Sequence, residues 1–267
     1  MIIPASTPAL APSRPAMARE TSASRTAAVI FLGPSLARAK AEQELDAVYL
    51  PPVAQGDVTR ALTTLRPRAI GIIDGYFECV PAVWHKEILH ALDQGVAVFG
   101  AASMGALRAA ELHPFGMTGV GAVFEAYRDG RLEDDDEVAV THGPAELGYP
   151  VLSEAMVNIR RTLSDAAADG CLSAGMATRL EHLAKELPYR ERTYGRIMTI
   201  AAEIGLDATE LSRLKAWLPA GRFDQKGDDA RRMLRTMRRW LGQDSHAMDV
   251  RFHFEHTALW DRASQAA

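Results

Sequence analysis

A serine lies at the junction between an apolar run and an alanine-rich, helix-prone segment in GVAVFGAASMGALRAAEL, residues 95–112. Ala101 and Gly105 flank Ser103 two positions away on either side, so AASMG is an AxSxG variant of the GxSxG nucleophile elbow. On such a turn, the backbone N–H of Met104 and the positive end of the helix dipole stabilise a developing oxyanion. The pattern therefore predicts acyl chemistry at a carbonyl carbon. The alternative is a plain helix N-cap, which serine favours, although position 106 is Ala and not the Glu or Gln of a capping box.

A serine nucleophile needs a general base that a third group orients. The preceding apolar run and the helix predicted after it offer one candidate each. This run ends at Asp74, and a helix predicted to begin at Pro81 carries His85 about one turn in, roughly 6 Å along its axis. Because all three groups lie at one end of the predicted sheet, His85 is the predicted base and Asp74 its orienting group. Lys86 is a rival base, which burial would have to neutralise. The structural alternatives are a core-edge histidine at His85 and a turn-forming carboxylate at Asp74.

Other polar groups suggest weaker hypotheses. FLGPS places Gly33 and Ser35 at a strand-to-helix turn, where backbone N–H groups suit an anion or a carbonyl oxygen, although a helix start explains it more simply. A Rossmann-like nucleotide binder that uses FLGPS is a further alternative, although the chain has no Walker A sequence. The acidic run at residues 133–137 could hold Mg²⁺, but it is typical of a solvated turn. Cys79 could carry sulfur, but a structural cysteine is the simpler interpretation. We predict neither a metal nor a cofactor.

An α/β fold is predicted to position these residues. The apolar runs AAVIFL, AIGII and GVAVF are each followed by a turn signal and a helical pattern, which is typical of buried parallel strands. From about residue 153 only helical patterns follow, separated by glycines and prolines. We predict a parallel-sheet Rossmann-like core over residues 27–152 and an all-helical C-terminal domain over residues 153–267. Residues 1–26, interrupted by prolines, are predicted to form a disordered tail, and Met17 is an alternative start.

The last predicted helix is amphipathic. Arginines 231, 235 and 238 share one face, and Met233, Met237 and Trp240 share another. This pattern is typical of a surface helix, and the arginine face could also receive an acidic protein partner.

Composition excludes several classes of protein. Of the 267 residues, 48% are hydrophobic and 24% charged, which is typical of a globular protein, and the net charge of -4 excludes a strongly basic nucleic-acid binder. No apolar run approaches the roughly 18 residues that a membrane helix needs. The two cysteines, Cys79 and Cys171, are too far apart in sequence for a CxxC motif, so they support neither a disulfide framework nor a zinc ribbon. We predict a cytoplasmic protein with no membrane or nucleic-acid partner.

A series of sequence blocks resembles one family. FLGPSL, YLPPVAQGD, IDGYFECVPAVWHKEIL, GAASMGALRAAEL, FGMTGVG and DDDEVAV follow one another over roughly residues 28–165. This succession resembles the TfuA-like proteins, the accessory partners of YcaO enzymes in peptide-backbone thioamidation. Several ordered blocks are far more specific than any single motif.

The resemblance implies a function and a set of site residues. A TfuA-like protein is expected to assist a YcaO-type enzyme by releasing sulfide from the C-terminal thiocarboxylate of a ubiquitin-like sulfur carrier protein, and a precursor peptide is a further possible partner. Hydrolysis of a thiocarboxylate is acyl chemistry, so the resemblance makes Ser103 the predicted nucleophile, with His85 and Asp74 as its catalytic partners. The predicted oxyanion or substrate-binding residues are Gly33, Ser35, Met104, Lys86, Glu87 and Arg108. The alternative is a non-catalytic module that docks or activates the YcaO enzyme.

Overall fold

A computed structural model describes residues 26–78, 80–243, 252–258 and 260–262 of the chain. The strands are β1 (Ala28–Phe31), β2 (Val48–Leu50), β3 (Ala69–Ile72), β4 (Ala97–Ala101) and β5 (Thr118–Val120). The α-helices of the first half are α1 (Arg38–Glu44), α2 (Asp57–Leu65), α3 (His85–Asp93), α4 (Met104–Leu112) and α5 (Ala122–Arg128). Those of the second half are α6 (Met156–Ala168), α7 (Ala174–Glu186), α8 (Tyr194–Glu203), α9 (Ala208–Gly221) and α10 (Gln225–Leu241). Cys79 and residues 1–25 of the predicted tail lie outside the described residues.

The five strands form one parallel sheet in the order β2-β1-β3-β4-β5. This confirms the predicted α/β class, and the three predicted strands are β1, β3 and β4. β2 and β5 have only three residues each and are largely not buried, so they lack an apolar signal. The chain runs from β1 to β2 on one side and then returns to β3 on the other, which places a topological switch point between β1 and β3. Ligand sites of open α/β sheets lie beyond the carboxyl ends of the strands at such a point.

Helices cover both faces of the sheet. Every residue of β1, β3 and β4 is buried, as expected of parallel strands covered on both sides. Helices α2 to α5 pack on one face, with Ile88 and Leu107 in the shared core. Helices α1 and α10 pack on the other face, through residues that include Ala41 and Met237.

Helix α3 begins later than the sequence predicts. Residues 81–84 precede the helix, and Trp84 has an extended backbone with φ -76° and ψ 142°. The buried carboxylate of Glu87 accepts a hydrogen bond from the N–H of Trp84, which fixes the start of the helix at His85. His85 is thus the first residue of α3, not a residue one turn inside it.

The C-terminal half is helical, as predicted, but its helices have two different packing environments. Helices α6 to α9 enclose an apolar cluster that includes Ile159, Leu180 and the buried Cys171. Helix α10 instead lies on the sheet, with Met233 and Met237 fully buried. The methionine face of this helix is therefore part of the core beside the sheet. The division of the chain into domains at residue 152 stays a prediction.

None of the helices in the described part of the chain combines the length and the apolar character that crossing a membrane requires.

Candidate active site

The turn that carries Ser103 is tight and closely packed. Ala102, directly before it, has the left-handed φ of 67°, and α4 begins directly after it. A Cβ atom at Gly105 would lie 1.7 Å from the carbonyl oxygen of Ile72 in β3. Only glycine therefore lets the first turn of α4 approach the strand ends this closely, which is the packing that the AxSxG pattern predicts.

The Ser103 hydroxyl does not cap the helix. Ser103 occupies the N-cap position of α4, but its side chain makes no capping hydrogen bond, and no other described residue bonds to it. The N–H of Met104, in the first turn, likewise has no acceptor among the described residues. The residue is 8% exposed and lines a pocket. A nearly buried hydroxyl without a partner, next to a free N–H, can attack a carbonyl group and stabilise the oxyanion that results.

The pocket has a volume of about 280 Å³ and lies at the carboxyl ends of the strands. Its walls come from the loops after β1 and β3, the segment 138–142, the segment before α8, and α10. The lining residues are Pro34, Asp74, Gly75, Tyr76, Phe77, Ser103, Val138, Ala139, Val140, Thr141, His142, Tyr189, Arg190 and Lys226. Predicted site residues Ser103 and Asp74 thus share one pocket.

Asp74 binds the loop after β1 instead of a histidine. Its Oδ2 accepts hydrogen bonds from the N–H groups of Gly33, at 2.9 Å, and Ser35, at 3.1 Å. Its Oδ1 accepts the Ser35 hydroxyl at 2.6 Å. The two amides predicted as oxyanion donors are therefore engaged by Asp74, and the carboxylate predicted to orient His85 orients this loop.

His85 lies away from the pocket. Its Nε2 is 2.7 Å from Oε2 of Glu111, and its side chain is 49% exposed. Arg108 donates to the same Glu111 oxygen and to the carbonyl oxygen of Val83. Burial opposes ionisation of Glu111, but the hydrogen bonds from His85 and Arg108 lower the pKa of this carboxyl overall. The structure thus groups His85 with Arg108 and Glu111, and it does not bring His85 together with Asp74.

Lys86 and Glu87 also point to other parts of the molecule. Lys86 donates to the Thr257 hydroxyl and lies over the ring of Phe254, 5.4 Å from its centroid. Glu87 is 2% exposed and accepts backbone N–H groups at the starts of α2 and α3, including that of Gly56 at 2.9 Å. Burial raises the pKa of Glu87. Neither side chain lines the Ser103 pocket, and their contacts here are structural.

Two of the ionisable pocket residues that the sequence analysis missed, His142 and Lys226, are suited to proton transfer. His142 lines the pocket, and its Nδ1 is 2.8 Å from the carbonyl oxygen of Gly143. Because a carbonyl only accepts, Nδ1 carries the proton in the neutral ring and Nε2 is left as an acceptor. Lys226, near the start of α10, lines the same pocket although it is 3% exposed. No local pattern marks either residue, because each reaches the pocket through long-range packing.

Most of the pocket residues lie in a segment that matches a known protein family. The profile described as TfuA-like protein matches residues 74–193. The match covers 120 of the 267 residues, so the chain is similar to the TfuA-like family over just under half of its length. The TfuA-like region begins at Asp74 and includes Ser103 and His142, whereas the Gly33 loop and Lys226 lie outside it. It starts later and ends later than the 28–165 range of the sequence resemblance.

A search of curated proteins found no match to this chain. The similarity to the TfuA-like family, which is associated with YcaO partners in general, supports a role in a thioamidation system.

Proposed function

We propose that this TfuA-like protein hydrolyses the C-terminal thiocarboxylate of a ubiquitin-like sulfur carrier and so delivers sulfide to a YcaO-type enzyme. The observation that carries the proposal is that Ser103 lines a pocket and that its hydroxyl has no hydrogen-bond partner among the described residues. The net reaction converts a thiocarboxylate and water into a carboxylate and hydrogen sulfide.

Ser103 acts as the nucleophile in this proposal. Its Oγ attacks the thiocarboxyl carbon, the carbon–sulfur bond breaks, and the carrier is left as an ester on Ser103. The free N–H of Met104 and the N-terminus of α4 are suited to stabilise the oxyanion. Water then hydrolyses the ester. With a proton on its sulfur, the group leaves as hydrogensulfide, which is a better leaving group than an amine, so this step demands less assistance than the cleavage of an amide.

Two histidines are candidates for the base that accepts the Ser103 proton. His85, which the sequence favours, would have to leave Glu111 and move to the pocket. His142 already lines the pocket, and the contact of its Nδ1 with Gly143 leaves Nε2 free to accept a proton. The arrangement therefore favours His142.

Sulfide release from a thiocarboxylated carrier tests the proposal. Ser103→Ala is expected to lower the rate of release by at least about 1,000-fold, because removal of a catalytic serine abolishes the covalent route. Ser164→Ala is the matched control, since Ser164 is exposed on α6, and its rate is expected to equal that of the wild type.

The same assay separates the two histidines. His142→Ala is expected to slow release by at least about 100-fold and His85→Ala by less than about threefold. The opposite ranking would assign the role of general base to His85. If neither wild type nor variant releases sulfide, even with the YcaO enzyme present, the hydrolase is excluded and a docking module is favoured.

A further inference from the structure

The amino group of a lysine buried in the Ser103 pocket contacts no carboxylate among the described residues. Lys226 is 3% exposed, and its Nζ donates to the carbonyl oxygen of Val138 at 2.6 Å. Among the described residues, no carboxylate oxygen lies within 4.0 Å of this nitrogen. An ammonium group has three N–H donors, and a buried cation is costly unless it is paired.

The three carboxylates that act most strongly on the pKa of Lys226 have other partners. Asp74 holds the loop after β1, Asp224 caps the N-terminus of α10, and Glu154 forms an ion pair with Arg222. These three carboxylates favour the charged form of Lys226 from a distance, but burial is the larger effect and lowers the pKa of its ammonium group. An ammonium with a lowered pKa gives up its proton more readily than an exposed lysine does.

The negative charge of the proposed substrate opposes nucleophilic attack, and a nearby lysine would offset this charge. A thiocarboxylate is an anion, so attack by a serine hydroxyl places further negative charge on a group that is already negative. A cation in contact with that group offsets the repulsion and makes the carbon more electrophilic. Sulfur also leaves more readily when it carries a proton.

We infer that Lys226 is a catalytic residue that binds the thiocarboxylate anion of the carrier and gives a proton to its sulfur as the carbon–sulfur bond breaks. This inference rests on the proposed function and deepens it.

The protons balance over the cycle. In the first half, the hydroxyl proton of Ser103 passes to the base, an ammonium proton of Lys226 passes to sulfur, and hydrogensulfide leaves. The products are the Ser103 ester, a neutral Lys226 amine and a protonated base. In the second half, the amine takes a proton from the attacking water, and the base returns its proton to the Ser103 oxygen. The carboxylic acid that is released then ionises, and its proton goes to the solvent.

A comparison of two substrates tests the role of Lys226. The first is the thiocarboxylated carrier, and the second is the same carrier as a neutral alkyl thioester, whose carbonyl needs no cation to become electrophilic. Lys226→Met is expected to lower kcat/KM for the thiocarboxylate by at least about 100-fold and for the thioester by less than about tenfold. Lys215→Met, at an exposed position of α9, is the control and should leave both values unchanged.

The outcomes separate this inference from the proposed function. Equal losses of activity on both substrates, or no loss on either, would overturn the role of Lys226 and leave Ser103 as the nucleophile. Retained activity of Ser103→Ala would instead overturn the serine mechanism. If Lys226→Met is unfolded at the assay temperature, Lys226→Arg replaces it. Arginine keeps the charge but holds its protons firmly, so KM for the thiocarboxylate should stay within about threefold and kcat should fall at least about tenfold. Unchanged kcat in that variant would overturn the proton-donor role.

Discussion

The carboxylate of Asp74 connects two strand ends at the topological switch point. Asp74 follows β3, and the three groups that it accepts belong to Gly33 and Ser35 in the loop after β1. Hydrogen bonds to an ionised carboxylate are stronger than those between neutral groups. Asp74 is therefore a positioning residue that fixes one wall of the Ser103 pocket.

Asp74→Asn is expected to lower the free energy of unfolding by about 2 kcal/mol, because one carboxylate oxygen becomes an NH2 group that faces donors. Urea unfolding measures the change. Asp46→Asn, at an exposed position, is the control and should stay within about 0.5 kcal/mol of the wild type. Equal stability of the two variants would contradict the positioning role.

Among the elements, α4 approaches the sheet more closely than any side chain at position 105 would allow. Gly105 is the second residue of α4, and Gly175 is the second residue of α7. A Cβ atom at Gly105 would meet the backbone of β3, whereas one at Gly175 would meet no atom within 4 Å. The same residue type at the same helical position thus has different roles, and the neighbouring element decides which.

Gly105→Ala is therefore expected to lower the free energy of unfolding by about 2 kcal/mol or more, because backbone atoms cannot move aside as a flexible side chain does. Gly175→Ala should leave stability unchanged or raise it by up to about 1 kcal/mol, since alanine favours a helix more than glycine does. Thermal and urea unfolding of both variants measure the difference. Similar values for the two would show that α4 can shift away from β3.

Across the whole molecule, an ion-pair network around the fully buried Arg192 connects the segment after α5 with the end of α7. Arg192 is fully buried and donates to Asp136 Oδ2 at 2.8 Å and to the carbonyl oxygens of Ala184 and Leu187. Lys185 also pairs with Asp136. Burial opposes ionisation of Asp136, but the hydrogen bonds from Lys185 and Arg192 outweigh it and lower the pKa of this carboxyl below 3.8. The ion pairs of Asp136 therefore stabilise the fold only while this carboxyl is ionised.

This stabilisation has a predictable pH dependence. Because folding lowers the pKa of Asp136, its contribution is complete above 3.8, the ordinary value, and is lost as the pH falls through the lower folded-state pKa. The wild type is expected to be more stable than Asp136→Asn by roughly 2 kcal/mol near pH 6, with a smaller gap below pH 4. Thermal melts between pH 3 and 7 measure it, with the exposed Asp135→Asn as control. A gap that does not change with pH would contradict the ionic origin.

The sequence predicted the strand, turn and helix around Ser103 well, but it predicted the ionisable residues next to Ser103 poorly. The strand before Ser103, the tight turn and the helix after it follow from an apolar run and small residues that are adjacent in the chain. The helix predicted from Pro81 instead begins at His85, because Glu87 makes hydrogen bonds to Trp84 and to backbone groups of α2. The contact with Trp84 spans only three residues, whereas the contacts with the start of α2 join segments far apart in the chain, and no local pattern reveals those.

The sequence by itself determined three of the parallel strands, the elbow-like turn at Ser103 and the resemblance to the TfuA-like family, because each depends on residues that are consecutive or ordered in blocks. Only the tertiary structure decided which ionisable groups share the pocket with Ser103. It directs Asp74 to the loop after β1, leaves His85 with Glu111, and brings Lys226 in from α10. Lys226 reaches the pocket because the methionine face of α10 packs on the sheet, and this packing places the start of the helix at the strand ends. Such long-range packing is not encoded in any short stretch of sequence.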